Sequence, residues 1–183
     1  MSAIHKPTLK FNLLFYFGFL IYAIVLIILM PDRIPTRFDT LGNPIQWTDD
    51  KLPSMILIMA ISSFTFWQIY LFQRFVLNDP DSSLLNVPHK KLYLQLPQNE
   101  KVYVLIRANR MLGIINTLVL LTFTLIITLT YLSAVNPSEL SVLITRYSMV
   151  TVISLVIIVP LAEAFALNAM VKERLREHGL LER

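Results

Sequence analysis

The sequence predicts an all-α integral membrane protein with four transmembrane helices and a short ordered hairpin between the first two. Three observations carry this. Of the 183 residues 55% are hydrophobic and 15% charged, where an average soluble domain has about 45–50% apolar residues and about a quarter charged. The excess is gathered into four blocks, each near or above the roughly 20 helical residues that cross a hydrocarbon core of about 30 Å. Lys and Arg collect on one side of those blocks, as the positive-inside rule requires. Composition therefore excludes a soluble enzyme and a disordered tail, and with no Cys it excludes a disulfide-stapled domain.

The first span is residues 11–30, which hold one Asn at the edge, one Gly and no charge. His5, Lys6 and Lys10 precede it like a basic leader, but 20 apolar residues exceed the 7–15 of a signal-peptide core. Met30-Pro31-Asp32-Arg33 follows in place of a small-residue cleavage site, so an uncleaved span is expected. The second span, residues 55–75, has Ser62, Ser63, Thr65 and Gln68 as polar members ahead of Arg74. The third, residues 111–135, is rich in Thr and contains Asn116. The fourth, residues 147–171, holds Pro160 and the only acid inside any span, Glu163. Runs this long without period-2 alternation are helices and not barrel strands.

Orientation follows from charge. With the N-terminus inside, Lys6, Lys10, Arg74, Lys90, Lys91, Lys101, Arg107, Arg110, Lys172, Arg174, Arg176 and Arg183 are cytoplasmic, against Arg33, Arg37, Lys51 and Arg146 outside. Both termini and loop 76–110 are then cytoplasmic, and loops 31–54 and 136–146 face outward. The whole chain, 1–183, reads as one multi-pass membrane domain. Its net charge of +4 reflects anionic headgroups at the cytoplasmic face, and no nucleic-acid motif argues for another partner.

Loop 31–54 carries the most information. Pro31 and Pro35 oppose helix continuation, and Gly42-Asn43-Pro44 is a turn signal. The flanks, Ile34 to Phe38 and Ile45 to Thr48, have strand-like composition, so a hairpin at the membrane surface is expected, anchored by Phe38 and Trp47. Asp32 and Asp39 flank Arg33 and Arg37, and Asp49-Asp50-Lys51 closes the loop, so local neutralisation is expected rather than a cation site.

The order Pro31-Asp-Arg-Ile-Pro35, then Gly42-Asn43-Pro44, Trp47 and Lys51, directly after a first span, resembles a bacterial membrane-protein family. That family, of the domain-of-unknown-function type, occurs at the N-terminus of SdpI-like peptide-immunity proteins. Leu85-Asn86-Val87-Pro88-His89-Lys90-Lys91, with Tyr93-Leu94 and Leu96-Pro97, is similar to its Asn-x-Pro-Asn-Lys stretch. The resemblance covers about residues 20–125 and is to the short, four-helix branch. Where the family has His, an aromatic residue and Asn, this chain has Arg37, Phe38 and Asp39, so no imidazole chemistry is carried over. The resemblance implies a non-enzymatic immunity or envelope-accessory protein of the bacterial inner membrane. Its loop would recognise a membrane-active peptide, a lipid or a partner protein through Arg33, Arg37, Phe38, Gly42, Pro44, Trp47 and Lys51.

The rival expectation is a small transporter or channel subunit using Glu163 at a helix break made by Pro160. An intramembrane charge costs about 2.5–3.5 kcal/mol on insertion scales, so Glu163 should face protein or water. A structural bond to Gln68, Asn116 or Thr117 is the blander expectation. The inner loop opens with a turn-rich patch, Asn78 to Ser83, expected to be flexible. A helix start at Gln98 runs into the third span, with Lys101, Arg107 and Arg110 expected to face headgroups. His5, His89 and His178 have no ligand spacing. No nucleophile elbow, P-loop or dinucleotide fingerprint occurs. Neither a metal nor a cofactor is expected. The expected partners are the bilayer, a peptide or membrane protein, and a second copy of the chain.

Overall fold

The computed structural model describes residues 7–136 and 138–181, so His5, Lys6 and Arg183 lie outside the described residues. The long elements are α1 (Pro7–Leu29), α2 (Lys51–Phe75), α4 (Gln98–Val135) and α5 (Glu139–Glu177). A hairpin of β1 (Ile34–Phe38) and β2 (Pro44–Thr48) joins α1 to α2. A 3₁₀ turn (Val76–Asn78) and a short helix α3 (Lys90–Tyr93) lie between α2 and α4. All four long helices are long and apolar enough to cross a membrane, consistent with a multi-pass membrane protein. Leu14, Ile21 and Ile28 of α1, Phe64 of α2 and Phe165 of α5 are each more than 60% exposed. Apolar surface on that scale is stable in lipid and not in water.

Local chemistry sets the helix boundaries. The Asp50 carboxylate accepts the Leu52 N–H (3.1 Å) at the start of α2. Before α5, Ser138 Oγ accepts the Ser141 N–H (3.3 Å) while Ser141 Oγ accepts the Ser138 N–H (3.0 Å), a reciprocal cap. Past its end, Gly179 at φ +68° lets the Leu180 N–H reach the Leu175 carbonyl (2.8 Å). α5 runs uninterrupted through Pro160, so the helix break expected there is not formed. One proline removes one hydrogen bond, which a helix of 39 residues absorbs.

The described chain divides into two compact units, to which every long helix contributes. One comprises Leu13–Phe66 and Thr117–Val156. In it Met30, Ile34 and Met55 form a small core that fixes the root of the hairpin. Tyr16 stacks on Phe66 (centroids 4.2 Å apart) and donates to Ser63 Oγ (2.9 Å).

The other comprises the described residues up to Asn12, Trp67–Asn116, and the described residues from Ile157. Its core joins Leu77, Leu85, Val87, Tyr93 and Leu96 to Val104 and Leu105 of α4 and Leu167, Val171 and Leu175 of α5. The connection expected to be flexible at residues 78–83 is instead packed down. Pro80 is buried, its carbonyl accepts the Tyr93 hydroxyl (3.1 Å), and Asp81 pairs with Lys101 (2.7 Å). Lys101 is thus nearly buried and does not face headgroups, because the folded connection brings it a carboxylate. His89, at φ +53°, turns the chain into α3 from a left-handed conformation that Asn tolerates better than most residues.

Tyr93 is 1% exposed. Burial first, then the Asp81 and Asp79 charges, pushes its phenol up to about 12, against about 10 in an unfolded chain. The fold therefore favours the neutral phenol. Its contribution is complete below about pH 10 and is lost as pH rises toward 12, at roughly 1.4 kcal/mol per unit of difference. Denaturant unfolding in detergent should show stability falling between pH 10 and 12 in the natural chain. Tyr93→Phe should be less stable at neutral pH and should lack that fall.

Candidate functional site

The hairpin organises the site. Its strands pair antiparallel with Ile34 opposite Thr48, Pro35 opposite Trp47, Arg37 opposite Gln46 and Phe38 opposite Pro44. The register shifts on either side of Arg37, a local bulge that re-aims side chains. The turn is built on Asp39, whose carboxylate accepts the Leu41 N–H (2.9 Å), the Asn43 N–H (2.8 Å) and Asn43 Nδ2 (2.9 Å). These donors, the Asn43 amide foremost, hold its carboxyl below the usual carboxylate range. The turn is thereby steadied above ordinary carboxylate pKa values and loosens as pH falls through the depressed one.

Gly42 is buried at φ +89°. A Cβ there would meet the Val142 carbonyl oxygen at 2.9 Å and the Arg146 nitrogen at 3.1 Å. Only glycine fits, both for its dihedral and for the close approach to α5.

Beneath β1 lies a cavity of about 560 Å³. Residues 35–39 line it from the hairpin, Met55 and Leu57 from α2, Leu129 and Thr130 from α4, and Met149 from α5. Arg37 and Phe38 are therefore brought to one cavity. Arg37 is exposed, and among the described residues its guanidinium has no ion pair, hydrogen bond or aromatic partner. The other charge lining the cavity, Asp39, has both oxygens taken up by the turn.

The remaining loop residues sit elsewhere. Arg33 faces Asp49 (3.6 Å) and lies over the Trp47 ring (5.6 Å). Arg33 and Trp47 line a separate surface pocket with Pro31 and Ala134. The Arg33–Asp49 pair is highly exposed, and such pairs contribute at most about 1 kcal/mol. Lys51 points inward: its side chain is 16% exposed, lies 3.6 Å from Asp32 and donates to the Met30 carbonyl at the end of α1. It satisfies a helix terminus. Pro44 starts β2 opposite Phe38, half-buried. Neutralisation within the loop thus reaches Arg33 and Lys51 and leaves out Arg37.

The intramembrane polar residues are arranged otherwise than their spacing suggested. Glu163 accepts from Arg107 (2.6 Å), with side chains 18% and 28% exposed. Its partner is not Gln68, Asn116 or Thr117. Arg107 accordingly does not face headgroups, whereas Arg110 is exposed. Gln68 lies exposed on α2. The buried glutamine is Gln73, whose Nε2 donates to the Asn109 carbonyl (2.8 Å) and to Asn109 Oδ1 (3.0 Å). Asn12 is fully buried and donates to the Gly113 carbonyl (3.0 Å). Asn116 is fully buried, and neither of its side-chain polar atoms has a hydrogen-bond partner.

Gln73, Asn109 and Asn12 were missed by reading spans, yet helical phase marks them. Asn12 continues the buried series Tyr16, Phe19, Ala23 and Leu26 of α1, and Gln73 follows Ser62, Phe66 and Tyr70 on α2, each at three- or four-residue spacing. Gln68 is out of phase.

Two outcomes are expected. Gly42→Ala should destabilise the protein by on the order of 1–3 kcal/mol, seen as a lowered thermal midpoint by circular dichroism in detergent. Arg107→Gln should cost more than the roughly 1 kcal/mol of an exposed pair and less than the about 3–5 kcal/mol of a fully buried one. Adding Glu163→Gln should restore part of the loss in the same measurement, because it removes the stranded carboxylate. Set against family models, curated proteins and solved structures, the chain has no match.

Proposed function

We propose that this chain is a non-enzymatic, multi-pass protein of the bacterial inner membrane, with the hairpin facing outward. The hairpin and the cavity beneath it would receive a membrane-active peptide, a lipid or a membrane-protein partner. This is the immunity or envelope-accessory role implied by the resemblance of its loop to SdpI-like proteins. The observation that carries the reading is the cavity under β1, whose about 560 Å³ falls within the roughly 300–1,000 Å³ of ligand pockets. Its walls are mostly apolar, and its polar groups are few and come from the hairpin and the helix ends. That combination suits an amphiphile. Gly42 and Asp39 hold the turn, Phe38 supplies apolar contact, and Arg37 supplies an uncommitted cation. Arg33 and Trp47 extend the recognition surface outside the cavity, and Lys51 anchors the hairpin to the end of α1.

The rival role, a small transporter or channel subunit, would work through Glu163 and would have to free that carboxylate from Arg107. An acid already paired at 2.6 Å in an unbroken helix supports a structural part for Glu163 instead.

A killing assay separates the two. Susceptible bacteria expressing the natural chain, the Arg33→Ala/Arg37→Ala variant or Glu163→Gln at matched membrane levels are challenged with a panel of membrane-active peptides while membrane potential is recorded. Protection by the natural chain and by Glu163→Gln, lost in the double alanine variant, is the expected result. Absence of protection from every peptide, together with a potential change that requires Glu163, would overturn the proposal in favour of transport.

A further inference from the structure

The cavity under β1 shows which chemistry it selects. Its two charged lining residues are not equivalent. Asp39 is spent on the turn, accepting from two backbone N–H groups and from Asn43 Nδ2 within 3 Å. Arg37 is bonded to nothing described. A guanidinium offers five donors in a planar fork that matches phosphate or carboxylate oxygens, so the cavity presents a ready anion site at its hairpin rim. Met55, Leu57, Ile58, Ile126 and Leu129 supply the apolar remainder. The hairpin connects two spans and so lies at the level of lipid headgroups, while these helix residues descend toward the acyl chains. Membrane-active peptides that carry net positive charge would meet Arg37 as a like charge, which disfavours them here.

Resting on the reading of this cavity as a ligand site, we infer that its occupant is an anionic phospholipid. The headgroup phosphate engages Arg37, and an acyl chain lies along the α2 and α4 residues beneath Phe38. Arg37 is kept free because the lipid supplies its counter-charge. This also accounts for its exclusion from the neutralisation that pairs Arg33 with Asp49 and Lys51 with Asp32.

Native mass spectrometry of the full-length detergent-solubilised protein tests this, with dioleoylphosphatidylglycerol, dioleoylphosphatidylcholine or inorganic phosphate added. Both lipids carry the phosphate, but the choline cation of phosphatidylcholine offsets that charge and meets Arg37 as a like charge, so the natural chain should retain phosphatidylglycerol over phosphatidylcholine by about ten-fold. Arg37→Lys should keep most of that preference and Arg37→Gln should abolish it. Removing an exposed, unbonded side chain leaves the fold intact, which an unchanged thermal midpoint verifies. Ile126→Trp, which fills the cavity, should weaken retention of both lipids. Equal retention of the two lipids, or a preference unchanged in Arg37→Gln, would overturn the inference. So would inorganic phosphate displacing phosphatidylglycerol as well as the lipid itself does, since the site would then be a phosphate site. If the lipid preference fails while the killing assay still depends on the hairpin arginines, the ligand-site reading stands and only the lipid falls. If both fail, the ligand-site reading falls with it.

Discussion

Helices surrounded by hydrocarbon gain little by hiding leucine from lipid, so side-chain packing and polar contacts must hold them together. This constraint explains what is buried in the chain. Within one unit Asn12 of α1 reaches the Gly113 carbonyl of α4, and Gln73 of α2 reaches Asn109 of α4. Gly113 permits the first approach, since a Cβ there would lie 2.6 Å from Thr8. In the other unit Tyr16 joins Ser63, and Tyr22 joins Thr128 (2.7 Å). The apolar stretch in the middle of α5 is the least buried of the four, and its buried residues cluster near its two ends.

The same constraint governs charge. Arg107 and Glu163 sit on helices where either alone would be costly, and together they neutralise each other. Arg174 does similar work between Glu100 (3.4 Å) and Glu177 (3.2 Å), with its guanidinium over the Tyr103 ring (4.8 Å). Lys101 is drawn down by Asp81. Of the basic residues that pair, Lys101 is buried and Arg107 and Arg174 are half-buried, while Arg110 and Lys91 stay exposed. Against this pattern Arg37 stands out, a cation beside an apolar cavity with no partner among the described residues. Asn116 is fully buried, with neither polar atom bonded among the described residues.

The hairpin shows how a short loop becomes a rigid roof. Asp39 closes the turn with its own side chain, Gly42 brings the turn against α5, and Lys51 ties the second strand's exit to the end of α1. Each device is local, and together they leave Arg37 and Phe38 lining the cavity. The bulge around Arg37 shifts the register without ending the pairing, so consecutive residues of β1 line one wall.

Four long apolar helices and the hairpin between the first two were legible in the sequence, because hydrocarbon thickness and backbone satisfaction act on local stretches of chain. Gly42-Asn43-Pro44 announced its turn in the same way, through backbone preferences that need no distant partner. Partnership was not legible. Gln68 and Gln73 are the same residue type on one helix, and only the packed face shows that the second is the buried one. Glu163 looked toward amides at similar depth and found Arg107. The Asn78–Ser83 stretch had the composition of a flexible turn, but Tyr93 and Lys101 fasten it. Pairing depends on which helix faces are brought together, and that is decided by contacts between residues distant in the chain. Sequence determined what each segment could be. Tertiary structure decided which polar groups met, and placed Arg37 beside an apolar cavity with no partner among the described residues.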